Sequence, residues 1–219
     1  MTWRRYHRFI NAYWLGSYEL EVQLTLQRLL RPGDVFYDVG ANVGFFTVLG
    51  ARLVGPRGRV FAFEPVPDSA GVARDQIALN GLSWCEVVPL AVSAHSGQRT
   101  LSYVPGKGAI AHLGSKRVGS ELEISVETMT LDSFVADHTF PALVKVDVEG
   151  AELEVLQGAA ATIKRGTCLI LELHSTAVAG EVVGILGEAG YAFESLEGTP
   201  TTRPTEHTRL VARLNPTWP

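Results

Sequence analysis

Two rhythms of apolar and polar positions run along the chain. Short, nearly unbroken apolar runs at Val35 to Val39, Arg59 to Glu64, Glu86 to Val92, Leu143 to Val148 and Cys168 to His174 fit strands covered on both faces. Between them lie stretches with helical spacing. Glu19 to Leu30 carries Leu20, Leu24, Leu26, Leu29 and Leu30; Phe45 to Val54 follows the first strand, and a third stretch runs to Leu79 with Asp68 or Ser69 as cap. Further helices are predicted over Leu131 to Asp137, Ala151 to Ile163 and Ala179 to Glu188, and two strands, Tyr191 to Ser195 and Arg209 to Leu214, finish the chain around the polar loop Gly198 to Glu206. Strand and helix alternate, so the class is α/β with a parallel sheet.

Two stretches break the alternation. Ser96-Gly97 punctuates Ala91 to Tyr103 as a hairpin, Pro105 to Gly119 is a glycine-rich loop holding Lys107 and His112, and Glu121 to Thr128 alternates as a strand. Residues 93–128 therefore form a hairpin-and-loop insertion overhanging the sheet's ligand edge. Residues 1–30 form a helical arm, with Tyr6, Phe9, Ile10 and Tyr13 packing its basic-aromatic first half onto the domain.

Composition narrows the class. At 219 residues, without repeats or a low-complexity linker, one domain spanning 1–219 is expected, with no fused partner domain. Nineteen basic against 23 acidic residues give a net charge of −4, which argues against nucleic acid as a partner. No apolar run is long enough to span a membrane, the N-terminus lacks the apolar core of a signal peptide, and Cys85 and Cys168 read as buried free thiols. A cytoplasmic protein is expected; its oligomeric state is not written in the sequence.

The chemistry concentrates on Val35-Phe-Tyr-Asp-Val-Gly-Ala-Asn-Val-Gly-Phe-Phe-Thr47, a strand, a glycine turn and a helix start. A dinucleotide site calls for Gly-x-Gly-x-x-Gly, whereas Asn42 stands where the middle glycine would be and Asp38 would repel a pyrophosphate. A carboxylate there suits the ammonium group of an amino-acid-bearing nucleoside, directly or through water, and S-adenosylmethionine is such a ligand. Glu64, 26 positions on, ends the second strand where a ribose-binding acid is expected.

The segments Asp38 to Thr47, Phe63-Glu64-Pro65, Lys145-Val-Asp-Val-Glu-Gly-Ala-Glu152 and Leu171-Glu-Leu-His174 resemble the FkbM family of methyltransferases, from about Gly16 to the last strand. The first motif marks only the broader S-adenosylmethionine-dependent superfamily; the Asp147-to-Glu152 motif is the more specific. The resemblance implies a Rossmann-like class I methyltransferase fold, with a seven-stranded, mostly parallel sheet of order 3-2-1-4-5-7-6 and its last strand antiparallel. It also implies methyl transfer to a hydroxyl of a small or glycosylated molecule.

On this reading Asp38, Gly40, Ala41, Asn42 and Gly44 surround the methionine part of the cofactor, Glu64 and Pro65 meet the ribose, Ala91 and Val92 flank the adenine, and Glu19 closes over the tail. A hydroxyl acceptor needs a base during the displacement. His174 is the first candidate and Asp147 the second. Glu149, Glu152 and His112 are acceptor contacts. Asp147, Glu149 and His174 also form a conceivable divalent-cation site, although no metal is predicted. Two other classes stay open: a non-catalytic S-adenosylmethionine binder and an NAD-dependent oxidoreductase with an aberrant turn.

Overall fold

The computed structural model describes residues 1–3, 13, 15–103, 111–113, 122–206 and 208–214, with backbone alone at 111–113 and 206. Helix α1, Leu20–Leu29, leads into strand β1, Val35–Val39, followed by α2 (Phe45–Val54), β2 (Arg59–Phe63), α3 (Pro67–Leu79) and β3 (Cys85–Val88). The second half supplies α4 (Leu131–Asp137), β8 (Leu143–Val146), α5 (Glu152–Gln157), α6 (Ala160–Lys164), β9 (Cys168–Glu172), α7 (Thr176–Glu188), β10 (Tyr191–Glu194) and β11 (Arg209–Leu214). Between the halves run β4 (Ala91–Val92), β5 (Gly97–Tyr103), β6 (Ala111–Leu113) and β7 (Leu122–Met129).

These strands form two sheets. The main one has the order β10-β11-β9-β8-β1-β2-β3, which is 3-2-1-4-5-7-6 when its own strands are counted along the chain. All its neighbours are parallel except β11, which runs antiparallel to β9 and β10. β1 lies at the centre with all five residues buried, which is why its sequence is an apolar run rather than an alternation. One apolar cluster, with Tyr37, Phe63, Val144 and Leu171, fills one face, and a second, with Phe36, Val48, Val60 and Leu143, fills the other.

Several expectations are corrected at this level. Glu86 to Val92 is not one strand: the chain leaves the main sheet after Val88, and Ala91–Val92 joins the second sheet, because Pro89 has no N–H to continue the ladder. Ala91 to Tyr103 is not a hairpin either. β4 and β5 flank opposite sides of β7, parallel and antiparallel respectively, in the order β4-β7-β5-β6. Helix α3 begins at Pro67, which suits a first helical position, so neither Asp68 nor Ser69 is its cap. The helix expected over Ala151 to Ile163 is divided at Gly158, where the backbone packs so tightly that a Cβ would come within 2.2 Å of the Ser93 carbonyl oxygen. Residues 4–12 and 14 of the N-terminal arm, with Tyr6, Phe9 and Ile10, and the loop carrying Lys107 lie outside the described residues, and among the described residues no helix is long and apolar enough to cross a membrane.

Candidate active site

The carboxyl ends of parallel strands are where open α/β sheets bind ligands. Here they open into one cleft lined by Glu19, Gly40, Ala41, Asn42, Glu64, Pro65, Ala91, Val92, Asp147 and Glu149, all expected from the sequence, together with Tyr13, Tyr18, Phe63, Lys145 and Glu172. The glycine turn is shaped by close approach. Gly40 has φ +80°, and a Cβ on it would stand 1.8 Å from the Asp147 carbonyl oxygen, so β1 and β8 can end side by side only if that position is glycine. At Gly44, φ +82° in front of α2, a Cβ would press on Ala73 of α3.

The turn's N–H groups are already engaged. Those of Gly40 and Ala41 both donate to the Phe63 carbonyl, at 3.1 and 3.0 Å, and that of Asn42 donates to Glu64 Oε2 at 2.8 Å. A pyrophosphate would find none of these three free, which weighs against the dinucleotide reading. The Glu64 carboxylate takes a second N–H, from Val66, on its other oxygen at 2.8 Å. Burial pushes Glu64 up to about 7, against the opposing pull of the two backbone donors. Asn42 Oδ1 and Glu19 Oε2 are buried acceptors of the cleft wall without a hydrogen-bond partner, so the cleft is built for a ligand rich in donors.

Asp38 differs from its expected place. It is fully buried beside the cleft rather than on its wall, because β1 is covered on both faces; Oδ2 accepts from the Thr47 hydroxyl at 2.6 Å and Oδ1 lies 3.9 Å from Lys145 Nζ. Lys145 sits 2.9 Å from Asp147 Oδ2 with a side chain only 3% exposed. Burial opposes its charge, but Asp147 and Asp38 outweigh that and hold it protonated above its ordinary range. Burial likewise raises Asp147, yet Lys145 more than offsets this and the carboxyl titrates below its usual value. Asp147 is therefore a weak base, which disfavours it as proton acceptor. A lone lysine in the run Leu143-Val-Lys-Val was the available signal for this cluster, since a buried ammonium needs partners.

His174, just past β9, is not part of that lining but stands at the rim beside three of its acids. Its Nδ1 lies 2.7 Å from Glu152 Oε1, while Nε2 faces Glu149 at 3.5 Å, Asp147 at 3.8 Å and Glu172 at 4.0 Å. The bond to Glu152 is the main reason the ring is pushed up to about 9; burial opposes it, and Glu149, Glu152 and Asp147 add to it. Glu152 is not an acceptor contact: it is 0% exposed, folded in under the histidine by the first turn of α5. Asp147, Glu149 and His174 each offer a donor atom within 4.8 Å of the others. Arg209, which the sequence left unremarked, binds Glu172 through Nε and Nη2 at 2.9 Å each and Glu19 at 2.8 Å, so the last strand fixes both acids at the cleft. His112 belongs to β6, opposite Ser102, and its side chain lies outside the described residues.

A family model for the methyltransferase FkbM domain matches residues 38–193. The chain is 33% identical over 164 residues to the hexuronic acid methyltransferase AglP of Haloferax volcanii, covering 74% of this chain and 64% of that protein, so the match spans somewhat less than two thirds of the relative's length. It is 31% identical over 218 residues to the 31-O-demethyl-FK506 methyltransferase FkbM of Streptomyces tacrolimicus, covering 84% and 82%. Among solved structures, the precorrin-6y C5,15-methyltransferase of Geobacter metallireducens superposes with a TM-score of 0.56 at 16% identity, over 90% of this chain and 89% of that one. The chain carries a methyltransferase FkbM domain and belongs to the FkbM family.

Proposed function

We propose that this protein is an O-methyltransferase that moves a methyl group from S-adenosylmethionine to a hydroxyl of a small molecule, of the sugar, glycoside or polyketide type, in the cytoplasm. The observation that carries the proposal is the pairing of a donor-seeking cleft with an imidazole at its rim. Glu64 retains a lone pair on each oxygen for the two ribose hydroxyls. Glu19 Oε2 and Asn42 Oδ1, unpartnered and buried, suit the ammonium end of the methionine tail. Phe63, Leu90, Ala91 and Val92 offer an apolar slot for the adenine. When bound, S-adenosylmethionine supplies a sulfonium-activated methyl group.

The chain's own part is then to place the acceptor and remove its proton. His174, pushed up to about 9, takes that proton on Nε2 when the ring is neutral, so the rate should rise with pH toward that value, while Glu149 and Glu172 accept hydrogen bonds from neighbouring hydroxyls and so orient the acceptor. Asp147, tied to Lys145, keeps negative charge beside the ring without competing for the proton. The buried Lys145 ammonium already supplies positive charge to the Asp147–Glu149–His174 group, so proton and hydroxyl chemistry is assigned to it in preference to a metal. We read residues 1–219 as one methyltransferase domain, with residues 1–30 and 93–128 shaping the acceptor side.

The test has two arms. Calorimetry with S-adenosylhomocysteine and, separately, NAD should show saturable binding of the first alone. A screen of methyl glycosides, glucuronides and macrolide polyols with labelled S-adenosylmethionine should yield a methyl ether whose formation is lost in His174→Asn. Tight NAD binding without S-adenosylhomocysteine binding, or a product methylated at nitrogen or carbon, would overturn the proposal.

A further inference from the structure

Glu152 has no route to the acceptor, yet it is a completely buried carboxylate in contact with the imidazole at the rim. Its Oε1 accepts from the Gly150 N–H at 2.9 Å and from His174 Nδ1 at 2.7 Å, and its Oε2 is buried without a partner. If only the loop backbone had to be held, an amide would serve as well and would not bring a charge out of water. A carboxylate differs in one respect, since it can only accept. It therefore fixes the proton on Nδ1 and leaves the Nε2 lone pair of the neutral ring pointing at the cleft.

We propose that Glu152 is the positioning residue of His174, setting its tautomer and ring orientation so that Nε2 is the atom presented to the acceptor hydroxyl. This rests on the reading of His174 as the base. The charged groups facing the imidazole come from three places: Glu152 from α5, Asp147 and Glu149 from the loop after β8, and Glu172 from β9, with Lys145 compensating Asp147 and Arg209 compensating Glu172. Of these, Glu152 alone meets Nδ1. Two substitutions separate the roles. Both bonds end on Oε1, so a glutamine whose carbonyl oxygen stays there keeps both and removes only the charge, whereas Glu152→Leu leaves Nδ1 without an acceptor and lets the proton move to Nε2, with no base facing the cleft.

Nitrogen NMR of the histidine rings, with His174→Asn assigning the resonance, measures this directly. In the native protein above the ring's titration midpoint, the neutral form should carry its proton on Nδ1. In Glu152→Leu it should carry it on Nε2, while in Glu152→Gln the tautomer should stay and the midpoint should fall toward the ordinary histidine value of about 6.5. S-adenosylhomocysteine affinity should be unchanged by Glu152→Gln. A native ring protonated on Nε2 would overturn the inference even if the variant failed to fold. So would an unaltered tautomer in Glu152→Leu, or a large loss of S-adenosylhomocysteine affinity in Glu152→Gln. Failure of the native protein to bind S-adenosylhomocysteine would instead strike at the functional reading and leave the tautomer result standing.

Discussion

Replacing Lys145 by methionine tests the electrostatic frame of the site without relying on any ligand. The ammonium lies 2.9 Å from Asp147 and 3.9 Å from Asp38, and its side chain is 3% exposed. Methionine fills a similar volume but leaves two carboxylates without their counter-charge. Removing one member of a buried ion pair costs about 3–5 kcal/mol, a large part of the roughly 5–15 kcal/mol that holds a domain folded. With a urea slope of about 2 kcal/mol per molar, the unfolding midpoint should drop by about 2 M at neutral pH.

The pH dependence gives the test its direction. In the native protein Asp147 titrates below its ordinary value, so it contributes stability above the unfolded pKa of about 3.9 that is lost as pH falls through its folded value. Without Lys145 the sign reverses. Asp38, already raised by burial, rises further, and Asp147, left with only His174 and Arg209 against burial, moves up as well, so the folded state loses stability as pH climbs from about 4 toward neutrality. The deficit of Lys145→Met should therefore be large at pH about 7.5 and smaller at pH about 5. Asp38→Asn in the same background should recover part of it. Urea titrations followed by tryptophan fluorescence at the two pH values measure this. A deficit below about 1 kcal/mol, or one that is equal at both pH values, would refute the reasoning.

Gly40→Ala combines a positive φ with a Cβ placed on the Asp147 carbonyl; it should cost at least about 2 kcal/mol in thermal or urea unfolding and reduce S-adenosylhomocysteine binding. On the proposed role of Glu64 at the ribose, Glu64→Gln replaces a charged acceptor by a neutral one, and calorimetry should show about 10–100-fold weaker S-adenosylhomocysteine binding. Because Glu64 sits at about 7, native affinity should also decline as pH falls below that value and the carboxylate protonates. Arg209→Ala strips Glu172 and Glu19 of their cation and should cost about 1–3 kcal/mol, less than a fully buried pair because the guanidinium is about a quarter exposed.

The fold and the glycine-turn wall of the cleft were legible because both follow from local pattern. Unbroken apolar runs mark strands covered on two faces, and the backbone demands of a glycine turn are written at Gly40 and Gly44. The placement of single acids was less legible because it depends on which way each polar side chain turns at a strand end. Asp38 and Glu64 look alike in sequence, each near the end of an apolar run, yet one turns under α2 to Thr47 and the other lines the cleft. Glu149 and Glu152 stand three residues apart, but the helix that begins at the second sends it inward beneath His174. Arg209 became meaningful only once β11 was seen to lie antiparallel to β9, with Arg209 opposite Glu172.

Backbone strain singles out the same cleft without reference to charge. Among the described residues, the non-glycine positions with positive φ are Glu19 at 43°, Asn42 at 50° and Glu149 at 54°, and all three line it. Each such conformation costs on the order of 1–3 kcal/mol and persists only where the surroundings impose it. At Glu19 the Arg209 guanidinium grips the carboxylate. At Asn42 the N–H is drawn to Glu64. Beyond Glu149, the Gly150 N–H is held by Glu152. In every case the group that sustains the strain is a charged side chain of the site itself, reaching across from another element or from the next helix. Relaxing these turns would move Glu19, Asn42 and Glu149 off the wall together, so the strain and the ion pairs are parts of one arrangement, and a variant that loses Arg209 or Glu64 should loosen the backbone it holds as well as remove a charge.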